Sequence, residues 1–312
     1  MYKNYNKLRK ENIMNKNFGS VFKVLRCSKN YKLKEVASKT LSISQISKFE
    51  NGSSSLTIDR FFEATQNIQV SLSEFETAYQ NYLMMPDFVL SNDYEKAFGR
   101  KDISKIKEYI SKLNYKTKKY PNNKRWPIEN IVLENMLAAI SDFKLSGKEI
   151  DRNQSILENY FNQIDFFSKY EIWVLSHTHN LLDPKTKRNI IQKSFHNTQF
   201  ISGNVERRRL MFKLYIDLLK RSLEDGEMVE SQIYIQFLED MGITGLGTTE
   251  YDLWERLVVK FYKGMYKVKL DLDKKAGLDE MEKVLSILGF LDAYGLKSRL
   301  EKEMKSFIKN NP

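Results

Sequence analysis

Apolar residues recur at helical spacing along most of the chain. Phe18, Val21, Phe22 and Leu25 form a first stripe, and Val36 and Ala37 mark a second short segment beyond a break at Asn30. Ser42 is placed to cap a third helix, which "FENG" ends, with Gly52 supplying a left-handed turn. The pattern predicts a fourth helix through Ile58, Phe61 and Phe62, and a fifth through Leu72, Phe75 and Tyr79 to about Met85, closed by Pro86. Five short helices over residues 15–85 make a compact all-helical module.

Beyond Pro86 the pattern changes to longer amphipathic helices joined by short polar connections. Val132, Met136, Ala139, Ile140 and Phe143 form one stripe; Leu253, Trp254, Leu257, Val258, Phe261 and Tyr262 a second; Leu278, Met281, Leu285 and Leu288 a third. The segment "LMFKLYIDLLKRSL" from Leu210 is apolar nearly all round, which predicts a helix buried on several sides. Pro121, Pro127 and Pro184 fall at breaks between helices. No alternating run flanked by turn residues is present, so the fold class is all-α. Consecutive helices in antiparallel pairs over residues 86–312 predict a TPR-like α-solenoid of helical hairpins. No strict internal repeat is visible, and a compact irregular bundle is the alternative.

The third helix carries the most informative surface. At 100° per residue Ile46 faces the core, with Ile43 and Phe49 about 60° to either side. Ser44 and Lys48 point away, flanked by Gln45 and Ser47. Two hydroxyls, an amide and an ammonium on one exposed edge are the chemistry a major-groove helix needs. Gln pairs bidentately with adenine, Ser donates or accepts at any base edge, and Lys reaches guanine or a phosphate. Serines near a helix start also suit a phosphate contact. The competing reading is a Ser-rich helix that touches nothing.

Charge sharpens the choice. The net charge of +11 is uneven: residues 1–70 carry 13 Lys/Arg against 5 Asp/Glu, and residues 100–125 add a second basic cluster. A small basic N-terminal unit is the footprint of a phosphate-binding module. Residues 1–14 read as a disordered arm. They are charged rather than apolar, so no secretory signal is expected, and no apolar run approaches the ~20 residues of a membrane span. The single cysteine, Cys27, allows no intrachain disulfide and fits a cytoplasmic protein.

The stretch from "FGSVF" to "SLSEF" resembles the Xre/Cro-type helix-turn-helix, and in particular the N-terminal domain of the Rgg (Rgg/GadR/MutR) family of Gram-positive transcriptional regulators. The carrying residues are Gly19, Leu25, Arg26, Val36, Ala37, the run Ser44 to Glu50, and Gly52. "YEIWVLSHTHNLL" and "GFLDAYG" are similar to the family more weakly. The resemblance implies a homodimer on double-stranded promoter DNA with two-fold symmetry. It also implies a C-terminal domain, residues 86–312, for dimerisation and for sensing a short hydrophobic signalling peptide, as in quorum sensing. The DNA-contacting residues would be Ser44, Gln45, Ser47 and Lys48, with Lys32 and Lys34 beside them. Many such domains have a DNA-contacting Gln where this chain has Leu33, and the two lysines are its candidate replacements. Glu50 and Arg26 match positions that pair with each other, so both are assigned to structure.

A peptide groove needs apolar walls and polar groups for the peptide backbone. Asn135, Asn180, Asn204, Arg207 and Arg208 are the candidates, with helix caps and surface charges as the alternative for the last four. The aromatic stripes around Trp173 and Trp254 read as core, and "KTKKYPNNKR" as an exposed connection with phosphate contacts as a second option. His177 and His179 point to different faces and no zinc-like set completes them, so neither a metal nor another cofactor is expected. "GITGLGTTE" lacks phosphate-loop spacing and reads as an inter-helix loop, and no catalytic motif is present, so an enzyme is not expected. Two rivals to the peptide-controlled regulator stand: a protein-interaction scaffold with a basic DNA-anchoring module, and a repressor controlled by a small molecule.

Overall fold

The computed structural model describes residues 18–83, 90–196, 205–243, 253–270 and 273–310. Among the described residues all regular structure is helical. The chain divides into two compact units, residues 1–96 and 97–312. The expected arm over residues 1–14 lies outside the described residues, as do Met85 and Pro86.

The first unit contains α1 (Phe18–Ser28), α2 (Leu33–Val36), α3 (Ile43–Glu50), α4 (Ile58–Asn67) and α5 (Leu72–Leu83). Its core joins Val21, Phe22, Val36, Leu41, Ile46, Phe49, Ala64, Ile68, Val70 and Phe75. The break after α1 is made by Asn30 in the left-handed region at φ 60°, and Gly52 supplies the same turn after α3 at φ 73°. Lys29 then ties α1 to the end of α4, its ammonium donating to the carbonyls of Ile68 at 3.1 Å and Gln69 at 2.6 Å.

Where α1 crosses α3 the backbones nearly touch. A Cβ on Gly19 would lie 1.8 Å from the carbonyl oxygen of Phe49, so no side chain fits at that position. Two turns further along α1, Arg26 grips α3 through two parallel bonds to Glu50, at 2.6 and 2.8 Å. The same guanidinium donates to the Tyr31 carbonyl, and both side chains are buried. The ion pair assigned from the sequence is therefore the clamp that orients α3.

Several apolar positions are turned differently from the expected stripes. Helix α4 seats on Ala64 and Ile68, with Phe61 half-buried against them, while Ile58 and Phe62 face outward. Helix α2 is only one turn long, and Ala37 is extended at its end. Ile43 is 49% exposed because Leu41, fully buried just before the N-cap, takes the core position instead. Leu41 and Ile46 occupy the two sites of a hydrophobic staple around the Ser42 cap.

Helix α6 (Leu90–Gly99) spans the boundary between the units. The second unit continues with α7 (Ile103–Lys119), α8 (Arg125–Ile140), α9 (Gly147–Asn162), α10 (Lys169–Thr178) and a 3-10 turn at His179–Leu181. It goes on through α11 (Pro184–His196), α12 (Val205–Asp225), α13 (Met228–Leu238), α14 (Leu253–Lys269), α15 (Lys274–Phe290) and α16 (Tyr294–Asn310). Helix starts are set by local chemistry: Ser146 with Glu149 and Ser168 with Glu171 form capping boxes, and Asp183 accepts from the amides of Lys185 and Thr186 ahead of Pro184.

Neighbouring helices pack in order, α7 on α8, α12 on α13, α14 on α15 and α15 on α16. Alternate helices also meet, α8 on α10, α9 on α11, α10 on α12 and α12 on α14. Contact with both the next and the next-but-one helix is the pattern of stacked hairpins, so the solenoid holds and the irregular bundle does not. Within the second unit α14 and α15 cross closely: a Cβ on Gly264 would lie 2.7 Å from the Gly277 carbonyl, and one on Gly277 2.6 Å from that of Gly264. Helix α12 is buried on several sides through Met211, Phe212, Leu214, Tyr215, Leu218, Leu219 and Leu223. Two stripes stop short of expectation. Helix α8 ends at Ile140, leaving Phe143 beyond it with Ala139 exposed, and Trp254 at the start of α14 is 42% exposed, edge-on to Phe212. Gly242 lies in a π-helical turn over Glu239–Ile243 rather than in a loop, and Gly245 and Gly247 lie outside the described residues.

Candidate functional site

Helix α3 begins with a complete capping box. Ser42 Oγ accepts from the Gln45 amide at 3.2 Å, and Gln45 Oε1 accepts from the Ser42 amide at 2.9 Å. The turn before it is equally fixed. Ser38 Oγ accepts from the amides of Thr40 and Leu41 at 3.1 Å, Thr40 donates to Glu63 at 2.5 Å, and Asn67 donates to the Val36 carbonyl at 2.9 Å. A helix of eight residues is too short to stand alone. This one is held by its cap, by Ile46 and Phe49 in the core, and by the Glu50–Arg26 clamp.

What faces outward is therefore presented on a rigid frame. Ser44 and Lys48 are exposed on adjacent turns, with Ser47 half-buried between them. Gln45 is half-buried, and the box occupies its amide oxygen. In this conformation its Nε2 remains to donate, and a bidentate pairing with adenine, which needs both ends of the amide, is not offered. Lys32 at the N-cap of the short α2 and Lys34 in its first turn are exposed, with Leu33 half-buried between them. Ile43, which the apolar pattern assigned to the core, stands exposed one residue before Ser44. Cys27 is a free, half-buried thiol.

In the second unit the structure joins two of the predicted polar residues. Asn135 on α8 donates to the carbonyl of His177 and to Oδ1 of Asn180 at 2.9 Å, and Asn180 returns a bond to Asn135 Oδ1 at 3.3 Å. Asn135 is half-buried and Asn180 exposed, so the pair stands at the surface where α8 meets the end of α10. His177 beside it packs edge-on against Phe98 and Trp173. The other candidates go elsewhere. Arg207 is buried, and its Nε donates to the Phe167 carbonyl at 2.9 Å, fastening α12 to the turn before α10. Burial lowers its affinity for its proton. Arg208 is half-buried, and Asn204 lies outside the described residues. His179 is buried two residues from His177, against Asp217 at 3.3 Å.

The basic stretch from Lys116 is helical at its start. Lys116, Lys118 and Lys119 form the last turn of α7, where cations suit the carbonyl end of a helix. Lys119 lies over the rings of Tyr115 and Tyr120, and Lys116 over Trp126, at 5.4–6.0 Å from the ring centres.

Comparison with known proteins follows the same two-part division. Residues 22–75 match the helix-turn-helix family model. Residues 111–302 match the model of the C-terminal domain of the helix-turn-helix-type transcriptional regulator Rgg. Among solved structures, the SHP pheromone receptor Rgg2 of Streptococcus dysgalactiae is similar over 93% of this chain and 99% of its own, at 20% identity and a TM-score of 0.74. A transcriptional regulator described as putative, from Listeria monocytogenes EGD-e, is similar over 94% and 97%, at 17% identity and a TM-score of 0.79. A bacterial peptide pheromone/receptor complex with a mechanism of gene regulation is similar over 93% and 98%, at 16% identity and a TM-score of 0.68. At these identities the solved structures speak for the fold. The family models, which between them cover the helix-turn-helix and most of the helical unit, carry the assignment: this chain belongs to the Rgg family of helix-turn-helix transcriptional regulators.

Proposed function

We propose that this regulator is a cytoplasmic homodimer that reads promoter DNA with α3 and changes its DNA binding when a short hydrophobic peptide occupies the helical unit. The observation that carries the DNA half is the outward edge of α3. Ser44 and Lys48 are exposed on a helix whose other side is fixed by a capping box, two core residues and a buried ion pair. In this reading Ser44 and Lys48 reach base edges, Ser47 and the Nε2 of Gln45 add single hydrogen bonds, and Lys32 and Lys34 meet phosphates. No helix among the described residues is long and apolar enough to cross a membrane, in keeping with a protein that works on DNA.

The peptide half rests on two similar structures whose descriptions name a pheromone receptor or a pheromone complex, together with the Asn135–Asn180 pair. Locked to each other, the two amides leave Asn180 one N–H and one lone pair, the complement of a peptide group in an extended chain. In this reading, peptide bound to the helical unit shifts the balance between two dimer arrangements by the difference in its affinity for them. The test is fluorescence anisotropy of the full chain on duplexes from its own and adjacent promoters, repeated with a library of short hydrophobic peptides. Saturable, sequence-dependent binding that one peptide shifts supports both halves. Binding that no peptide shifts leaves the DNA half and removes the peptide.

A further inference from the structure

The exposed isoleucine at the start of α3 has no role in seating the helix. Leu41 and Ile46 are fully buried and fill the staple positions on either side of the cap, and Phe49 completes the contact. Ile43 is the first residue after the Ser42 cap, and 49% of it is open to solvent. A single exposed isoleucine is ordinary on a protein surface. This one differs by its neighbours. At 100° per residue it lies about 40° from Ser47 and 100° from Ser44, so it borders the edge proposed to face the bases. Being in the first turn, it stands at the end of α3 where the cap holds the backbone most firmly, with Gln45 directed back toward Ser42.

A branched apolar side chain cannot read a donor or an acceptor. In the major groove one apolar feature is available to it, the C5-methyl of thymine. Burying Ile43 against that methyl removes apolar area from water on both partners, whereas cytosine offers only C–H at the same position. We infer that Ile43 is a specificity-determining residue, and that it selects thymine at one position of each half-site through methyl–methyl contact. This rests on α3 being the reading helix. The isoleucine side chain sits beside the polar readers, so one apolar contact and two or three hydrogen bonds together fix a short base sequence. Folding leaves about half of this side chain in water, and contact with the thymine methyl supplies the burial that folding does not.

The experiment selects binding sites from a random duplex pool with the full-length protein, in wild-type, Ile43→Ala and Ile43→Val forms. It then measures each protein on the selected duplex with individual thymines replaced by deoxyuridine, which removes the methyl and leaves every hydrogen bond unchanged. The expected result is one thymine per half-site whose replacement weakens wild type and Ile43→Val by roughly three- to fivefold, the scale of one buried methyl group, and leaves Ile43→Ala unaffected. Ile43→Ala should also lose the thymine preference at that position in the selection. If wild type selects a defined sequence but deoxyuridine weakens wild type and Ile43→Ala equally at every thymine, the Ile43 assignment is overturned and α3 stands. If wild type selects no sequence at all, the reading helix fails and this inference fails with it.

Discussion

Removing the Glu50 carboxylate leaves the Arg26 guanidinium buried beside Tyr31 without its counter-charge. Breaking a buried pair from one side costs about 3–5 kcal/mol, against a total stability of roughly 5–15 kcal/mol for a domain. Glu50→Ala is therefore expected to unlatch α3 from α1, read as accelerated amide hydrogen exchange over residues 18–83 with the second unit unaffected. Equal protection in the variant would mean the pair is not the clamp. Gln45 calls for a different expectation, because its oxygen is engaged by the Ser42 amide. A single remaining donor should make Gln45→Ala lose about 1 kcal/mol of discrimination at one base pair, the low end of the range for bidentate readers. A loss of several kcal/mol would show that the side chain leaves its cap when DNA binds. The Arg26–Glu50 pairing was legible from the sequence because both residues lie within a recurrent domain pattern. The capture of Gln45 was not: Ser42 and Gln45 spell a capping box, but the same amide equally suits a base edge, and the folded helix start decides for the cap.

At the scale of single elements, close packing dominates. The α14–α15 crossing brings Gly264 and Gly277 within reach of each other's carbonyls, so Gly264→Ala should force the hairpin apart and destabilise the second unit by about 1–3 kcal/mol. Urea unfolding of the full chain should show the lower midpoint, and an unchanged midpoint would mean the helices slide at no cost. His179 links the end of α10 to α12 through Asp217. Burial outweighs the carboxylate and holds its imidazole below the ordinary value of 6.5, so the folded state keeps it neutral while the unfolded chain takes up a proton. Its contribution is complete above pH 6.5 and is lost as pH falls below that value. Wild type should lose stability as pH falls below 6.5 more steeply than His179→Gln, and parallel curves would contradict this. Helices were legible where apolar stripes and caps are strong, but not at Lys116–Lys119 or Gly242, which read as connections and are helical, and the facing of short helices was not legible. On α4 the run Ile58, Phe61, Phe62 fits two rotations, and Ala64 with Ile68 at the C-cap, both fully buried, marks the one that packs.

For the whole molecule, charge and period point to a small basic N-terminal part and a larger helical one, and the compact units divide between residues 96 and 97. The solenoid was legible as consecutive helices in antiparallel pairs, but which hairpins touch was not. That depends on contacts between alternate helices such as α8 on α10, which leave no strict repeat in the sequence. The residues expected to line a peptide site were the least legible: only the fold shows that Asn135 and Asn180 find each other while Arg207 turns to a backbone carbonyl. The central claim is that α3 reads sequence while the surrounding lysines supply charge. The most direct test is anisotropy on a selected duplex and on a random one, across a salt series, for wild type, Ser44→Ala and Lys48→Ala. Wild type should prefer the selected duplex at every salt concentration. Ser44→Ala should lose about 1–3 kcal/mol of that preference with an unchanged salt slope, and Lys48→Ala should lose preference, flatten the slope by about one, or both. Equal binding of all three proteins to both duplexes would contradict the assignment of α3 and reduce the basic unit to an electrostatic anchor.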